Sequence, residues 1–89
     1  MGYDKILLNE QKRGVKTMNY YQRLKDVRED NDLKQINIAN ILNTTQKQYS
    51  RWETGDYQIP LDKMITLAKY YDISLDYLAG LTNDKRKYW

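Results

Sequence analysis

The chain contains no cysteine and no histidine among its 89 residues. The first absence excludes disulfides and thiolate metal sites. The second removes the commonest metal ligand and the usual general base. No paired carboxylates, no nucleophile beside a base and no Gly-rich phosphate loop appear among the remaining residues. An enzyme is therefore the weakest reading, and no cofactor, metal or small-molecule substrate is implied. No apolar run approaches the length of a membrane span, and Met1 to Asn19 lack the apolar block and small-residue cleavage pattern of a signal peptide. The expectation is a cytoplasmic chain with no membrane contact. At this length one domain with a limited core is expected, and a bundle of short helices suits such a core better than a large sheet.

Strong overall charge is also missing. The net charge is +3, and its distribution says more than its size. Residues 1–19 carry four basic and two acidic groups, and residues 82–89 carry three and one. Residues 20–55 hold six basic against five acidic groups, and residues 56–81 hold two against four. Both ends are basic and the body is close to neutral, so attraction of the body to phosphate must come from placement rather than bulk charge.

What is present is helical periodicity. Tyr20, Leu24 and Val27 share one face of a first helix, with Arg23, Lys25, Asp26 and Glu29 elsewhere on the wheel. Asn31 and Asp32 form a turn and Leu33 follows as an apolar anchor. Lys34 to Leu42 then form a second helix with Ile38, Ala39 and Leu42 on one face. Asn43 is a suitable left-handed stop. Thr44 and Thr45 offer N-caps for a third helix, Gln46 to Thr54, which Gly55 ends. Pro60 suits the first position of a fourth helix, in which Leu61, Met64, Ile65, Ala68 and Tyr71 keep helical spacing. Ser74 caps a fifth, with Asp76 beside the helix dipole, Leu75 and Leu78 inward and Gly80 as the stop. No stretch alternates like a half-buried strand, and the prediction is an all-α five-helix bundle over residues 20–81. It is flanked by a loosely ordered arm (1–19) and a basic tail (82–89).

Two short helices joined by a tight turn can leave the second one protruding, able to enter a DNA major groove. The second and third helices have that layout. Tyr49, Trp52 and Glu53 share the face that must turn inward, leaving Gln46, Lys47, Ser50, Arg51 and Thr54 outside. Those side chains suit base reading: Gln pairs bidentately with adenine, Arg or Lys with guanine, and Ser or Thr with a base edge or a phosphate.

The ordered set of Leu24-Lys25-Asp26-Val27-Arg28, Leu33-Lys34-Gln35, Ile38-Ala39, Thr44-Thr45-Gln46, Trp52-Glu53-Thr54-Gly55 and Ile73-Ser74-Leu75-Asp76-Tyr77-Leu78 resembles the Cro and cI type (Xre) helix-turn-helix regulators. That family includes the lambdoid phage repressors. The resemblance spans about Tyr20 to Leu81 and implies a lambda-repressor-like fold and sequence-specific binding of double-stranded operator DNA as a homodimeric transcriptional repressor. It implies that Gln35 contacts the DNA backbone and can touch Gln46, that Gln46 reads adenine, and that Thr45, Lys47, Ser50 and Arg51 contact phosphates or bases. It also implies an ion pair between Arg28 and Glu53 that ties the first helix to the third.

The chain departs from that pattern at four places. Lys34 replaces a Ser or Thr cap, which implies a weaker start to the second helix. Asn43 replaces a glycine. Tyr49 replaces a small β-branched core residue, so the third helix is expected further out, or the tyrosine hydroxyl at the surface. The loop Asp56-Tyr57-Gln58 lacks basic residues, leaving backbone N–H groups or the Tyr57 hydroxyl for phosphate. Tyr20, Tyr49 and Tyr71 read as core, and the fifth helix with Leu81, Tyr88 and Trp89 is the candidate dimer contact. An antitoxin or a restriction-modification controller would share every motif. A protein-interaction adaptor that has lost DNA binding is the rival from another class, supported by Ile36 and the aromatic C-terminus.

Overall fold

The periodic apolar positions become the inward faces of α1 (Tyr20–Asp30), α2 (Gln35–Ile41), α3 (Gln46–Thr54), α4 (Leu61–Tyr71) and α5 (Leu75–Leu78) in the computed structural model, which describes residues 19–87. No strand occurs among the described residues, and the all-α architecture is as expected. The N-terminal arm before Asn19, together with Tyr88 and Trp89, lies outside the described residues. One core gathers Leu24 and Val27 from α1, Ile38 and Ala39 from α2, Leu42 just beyond it, and Tyr49 and Trp52 from α3. Met64, Leu67 and Ala68 from α4, with Ile59, Ile73 and Leu78, complete it. Each fully buried leucine of this set removes enough apolar surface from water to stabilise the fold by about 1.5–3 kcal/mol.

Local chemistry sets the helix ends. Thr45 and Ser74 cap α3 and α5 by accepting from the backbone N–H groups of Gln48 and Tyr77. Asn43 takes the left-handed conformation at φ 57° and Gly55 does so at φ 84°. At Gly55 a side chain would also meet the Tyr21 ring, 2.9 Å from an added Cβ, so both the conformation and the space favour glycine. Pro60 sits one position earlier than expected. It is the N-cap of α4, extended at ψ 148°, and its carbonyl accepts from Lys63 and Met64.

Two sequence readings need correction. The buried face of α4 is Met64, Leu67 and Ala68, whereas Leu61 is 65 % exposed and Ile65 is also exposed. The apolar arc of this helix is broad, and packing selects the sector centred on Leu67. The second correction is Arg23, read as part of the polar face of α1 but only 4 % exposed. Its guanidinium donates to the Tyr77 carbonyl at 2.7 Å, the Thr82 carbonyl at 3.1 Å and the Asn83 side chain at 3.0 Å, and lies 4.0 Å from the centroid of the Tyr77 ring. Burial is tolerated because acceptors and an aromatic face replace water.

Arg23 therefore fastens the segment after α5 to α1. Residues 82–87 run back along α5, where Ser74 donates from its backbone to the Lys85 carbonyl at 3.0 Å and from its hydroxyl to the Asp84 carbonyl at 3.3 Å. Lys87 pairs with Asp72, and Arg86 pairs with Asp84 at 2.6 Å.

Candidate nucleic-acid interface

The turn between α2 and α3 is closed from several sides. The Thr44 N–H donates to the Ala39 carbonyl at 2.9 Å across the left-handed Asn43. From α4, the Lys63 ammonium donates to the Leu42 carbonyl at 2.8 Å, placing a cation on the carbonyl end of α2. At the other end of α2 the Asn37 side chain accepts from the Lys34 backbone N–H at 2.8 Å. Half of a capping box thus supports the helix although a lysine ammonium can accept nothing.

Through that turn α3 is held with one face in the core. Tyr49, Trp52 and Glu53 are buried, and Tyr49 and Trp52 meet edge to face at 6.3 Å between ring centroids. Gln46 and Lys47 are exposed and Ser50 and Arg51 half-buried, all on the remaining surface of the helix. Thr45 is exposed at the N-cap. Its oxygen accepts from the Gln48 N–H at 3.1 Å, which leaves the hydroxyl proton available to an outside acceptor. Glu53 is the sole acidic residue of α3 and it faces inward, so the outward charges of the helix are those of Lys47 and Arg51.

Behind this face lies a buried polar cluster. Arg28 grips Glu53 with two prongs, Nε to Oε2 at 2.7 Å and Nη2 to Oε1 at 3.0 Å, and its Nη1 donates to the Leu33 carbonyl at 2.8 Å. The Gln35 side-chain amide also donates to Glu53, at 3.1 Å. One carboxylate therefore links the helix before the turn, the first turn of α2 and the end of α3. Burial pushes the Glu53 carboxyl up, but the donors from Arg28 and Gln35 outweigh it and hold the group below the usual carboxylate range. Hydrogen bonding to Glu53 in turn raises the Arg28 guanidinium.

Tyr49 does not bring its hydroxyl to the surface, contrary to one of the two expectations for it. The oxygen is buried without a hydrogen-bond partner, as is that of Tyr71. The Tyr49 hydroxyl is near enough to the Glu53 carboxylate for the charge to act on it, though short of hydrogen-bond geometry. Burial first, then Glu53, pushes its ionisation far above the ordinary phenol range. Burial does the same for Tyr71.

Three neighbours of this surface make contacts that the sequence reading does not give. Gln48 borders an open polar groove with Arg51, Tyr57 and Gln58. Tyr57 lies with its ring centroid 5.3 Å from the Arg51 guanidinium carbon. Lys63 reaches α2 across 21 positions of sequence. Of these, Gln48 carried a signal, as a polar residue within α3. The other two depend on tertiary geometry. Among the described residues no group of three or more acidic, histidine or cysteine side chains is placed to hold a metal ion. No described helix is long and apolar enough to cross a membrane.

The HTH-type transcriptional regulator YobD of Bacillus subtilis is 37% identical over 65 residues, covering 73% of this chain and 58% of its own length. YqaE of the same organism, also an HTH-type transcriptional regulator, is 33% identical over 67 residues, covering 74% and 58%. The chain thus spans a little over half of these relatives. Among solved structures, a transcriptional regulator from Listeria innocua superposes with a TM-score of 0.68 at 25% identity, over 80% of this chain and 64% of the other. The P22 c2 repressor, solved in complex with a synthetic operator, superposes at 0.66 over 74% of this chain and 100% of its own, and at 20% identity it shares the fold. The helix-turn-helix family profile matches residues 24–78, and the chain belongs to that family, in its Cro and cI (Xre) type.

Proposed function

We propose that the chain is a non-enzymatic transcriptional regulator, a repressor, that binds double-stranded operator DNA sequence-specifically, with residues 20–81 as its DNA-binding domain. The observation that carries this reading is the division of α3. Its inner face is locked by Tyr49, Trp52 and the Arg28–Glu53 pair, while Gln46, Lys47, Ser50 and Arg51 stand on its outer surface. Such a helix presents hydrogen-bonding side chains to the major groove without moving its backbone. In this role Gln46 and Arg51 read base edges, and Lys47, Ser50 and Thr45 take phosphates or bases. Gln35 keeps α2 in register on the backbone while its amide N–H holds Glu53. The family match and the operator-bound relative support the same assignment. The site of action is the cytoplasm, on chromosomal or phage DNA.

A two-fold operator calls for a homodimer. The exposed Leu61 and Leu81 border an open apolar groove of about 280 Å³ with Tyr20, Ile59, Met64 and Ala79, a surface suited to a second copy. Sedimentation should find dimers on DNA; monomers alone, both free and bound, would remove the dimer from the account.

The exposed Ile36 on α2 favours the adaptor as the second reading. Binding to random-sequence duplex as a function of salt separates the two. A phosphate-contacting module loses affinity steeply and linearly in log salt. An adaptor binds little at any salt.

A further inference from the structure

The loop after α3 carries no basic residue, yet it places an aromatic ring against one of the two cations of the outer face. Tyr57 is 54 % exposed. Its ring centroid lies 5.3 Å from the Arg51 guanidinium carbon, within the range of a cation–π contact. Its backbone N–H donates to the Arg51 carbonyl at 3.3 Å, and the Thr54 hydroxyl donates to the same carbonyl at 3.1 Å. Both ends of Arg51 thereby meet Tyr57, its main chain through a hydrogen bond and its head through the ring. Arg51 and Tyr57 line an open polar groove together with Gln48 and Gln58. Lys47, the other outward cation of α3, is exposed on a flexible four-carbon stem.

A free arginine side chain has many rotamers to lose on binding. Bidentate pairing with the O6 and N7 of guanine requires the planar fork to be held in one orientation. A ring that restricts the fork before DNA arrives lowers that ordering cost. We propose that Tyr57 is a positioning residue that pre-orients Arg51 for a guanine, so that the loop contributes to sequence discrimination rather than to phosphate binding. This rests on the reading of α3 as the major-groove helix.

The test is selection from a random duplex pool with the full chain and three variants: Arg51→Ala, Tyr57→Ala and Tyr57→Phe. Arg51→Ala identifies the guanine that depends on Arg51. At that position Tyr57→Ala should lower the preference for guanine by about two- to five-fold, the equivalent of an exposed cation–π contact. The salt slope and melting temperature should be unchanged, since the ring is exposed. Tyr57→Phe keeps the ring face and should keep the preference. An unchanged preference in Tyr57→Ala overturns the proposal. So does an equal loss in Tyr57→Phe, which makes the hydroxyl rather than the ring face the working contact. If Arg51→Ala itself leaves the selected motif intact, the base-reading role of Arg51 fails and the proposal falls with it.

Discussion

Replacing Glu53 by alanine tests how α3 is held. The carboxylate side chain is 2% exposed and its partner Arg28 11%, with two charge-assisted bonds between them and a third donor from Gln35. Removing it leaves the guanidinium buried with only the Leu33 carbonyl and a distant, exposed Glu29 to compensate. An uncompensated buried charge of this kind costs about 3–5 kcal/mol. Domains of this size hold only about 5–15 kcal/mol in total, so much of the folding free energy is at stake. At about 4–8 °C per kcal/mol, the melting temperature should fall by at least about 12 °C. Thermal and urea unfolding followed by far-UV circular dichroism measure this directly. A second arm replaces both partners, Arg28→Met with Glu53→Leu, which removes the stranded charge and should recover a large part of the loss as a favourable coupling in the double-mutant cycle. A fall of less than about 1 kcal/mol in Glu53→Ala would refute the reasoning, because that is how a solvated surface pair behaves. Losses that simply add in the double variant would refute it as well.

The same carboxylate carries a pH signature. Its folded ionisation lies below the unfolded value, so the unfolded chain binds more protons in acid. The stabilisation is complete above about pH 4.5 and is lost as pH falls through the folded value. Asp84, lowered by Arg86, adds the same sign, so the diagnostic is the difference between the wild type and Glu53→Gln: acid unfolding should be flatter in the variant, and identical profiles would contradict the assignment. Tyr49→Phe removes a buried hydroxyl without a partner and should leave stability equal or higher, whereas a loss above about 1 kcal/mol would reveal a hydrogen bond there. Arg23→Met should cost about 1.5–3 kcal/mol and speed amide exchange at Ser74, whose N–H bonds the returning segment; unchanged exchange would mean that Arg23 does not fasten it.

Much of this architecture was legible because local chemistry and tertiary packing agree. The steps of three and four in α1 and α2, the threonine and serine caps, and the left-handed stops at Asn43 and Gly55 all operate within a few residues of chain. Even the polar outer face of α3 follows from placing Tyr49 and Trp52 inside. What sequence did not disclose depends on distant partners. Arg23 looks solvated until the carbonyls of Tyr77 and Thr82 reach it, more than fifty positions later. In α4, Leu61, Ile65 and Leu67 are equally apolar, and only docking on the core decides that Leu67 is buried. Lys63 on α2 and Tyr57 on Arg51 have no periodic signature at all. The neutral body also acquires a direction, since Arg28 holds the acidic residue of α3 inside and leaves Lys47 and Arg51 outside.

The central claim is that the outer face of α3 reads base pairs, and Gln46 tests it most directly. Duplexes selected from a random pool by the wild type and by Gln46→Ala should yield the same half-site except at one base pair, where preference relaxes by roughly 1–3 kcal/mol. Uniform weakening across all sequences would make Gln46 a phosphate contact, and failure of the wild type to enrich any sequence would contradict base reading by α3 altogether.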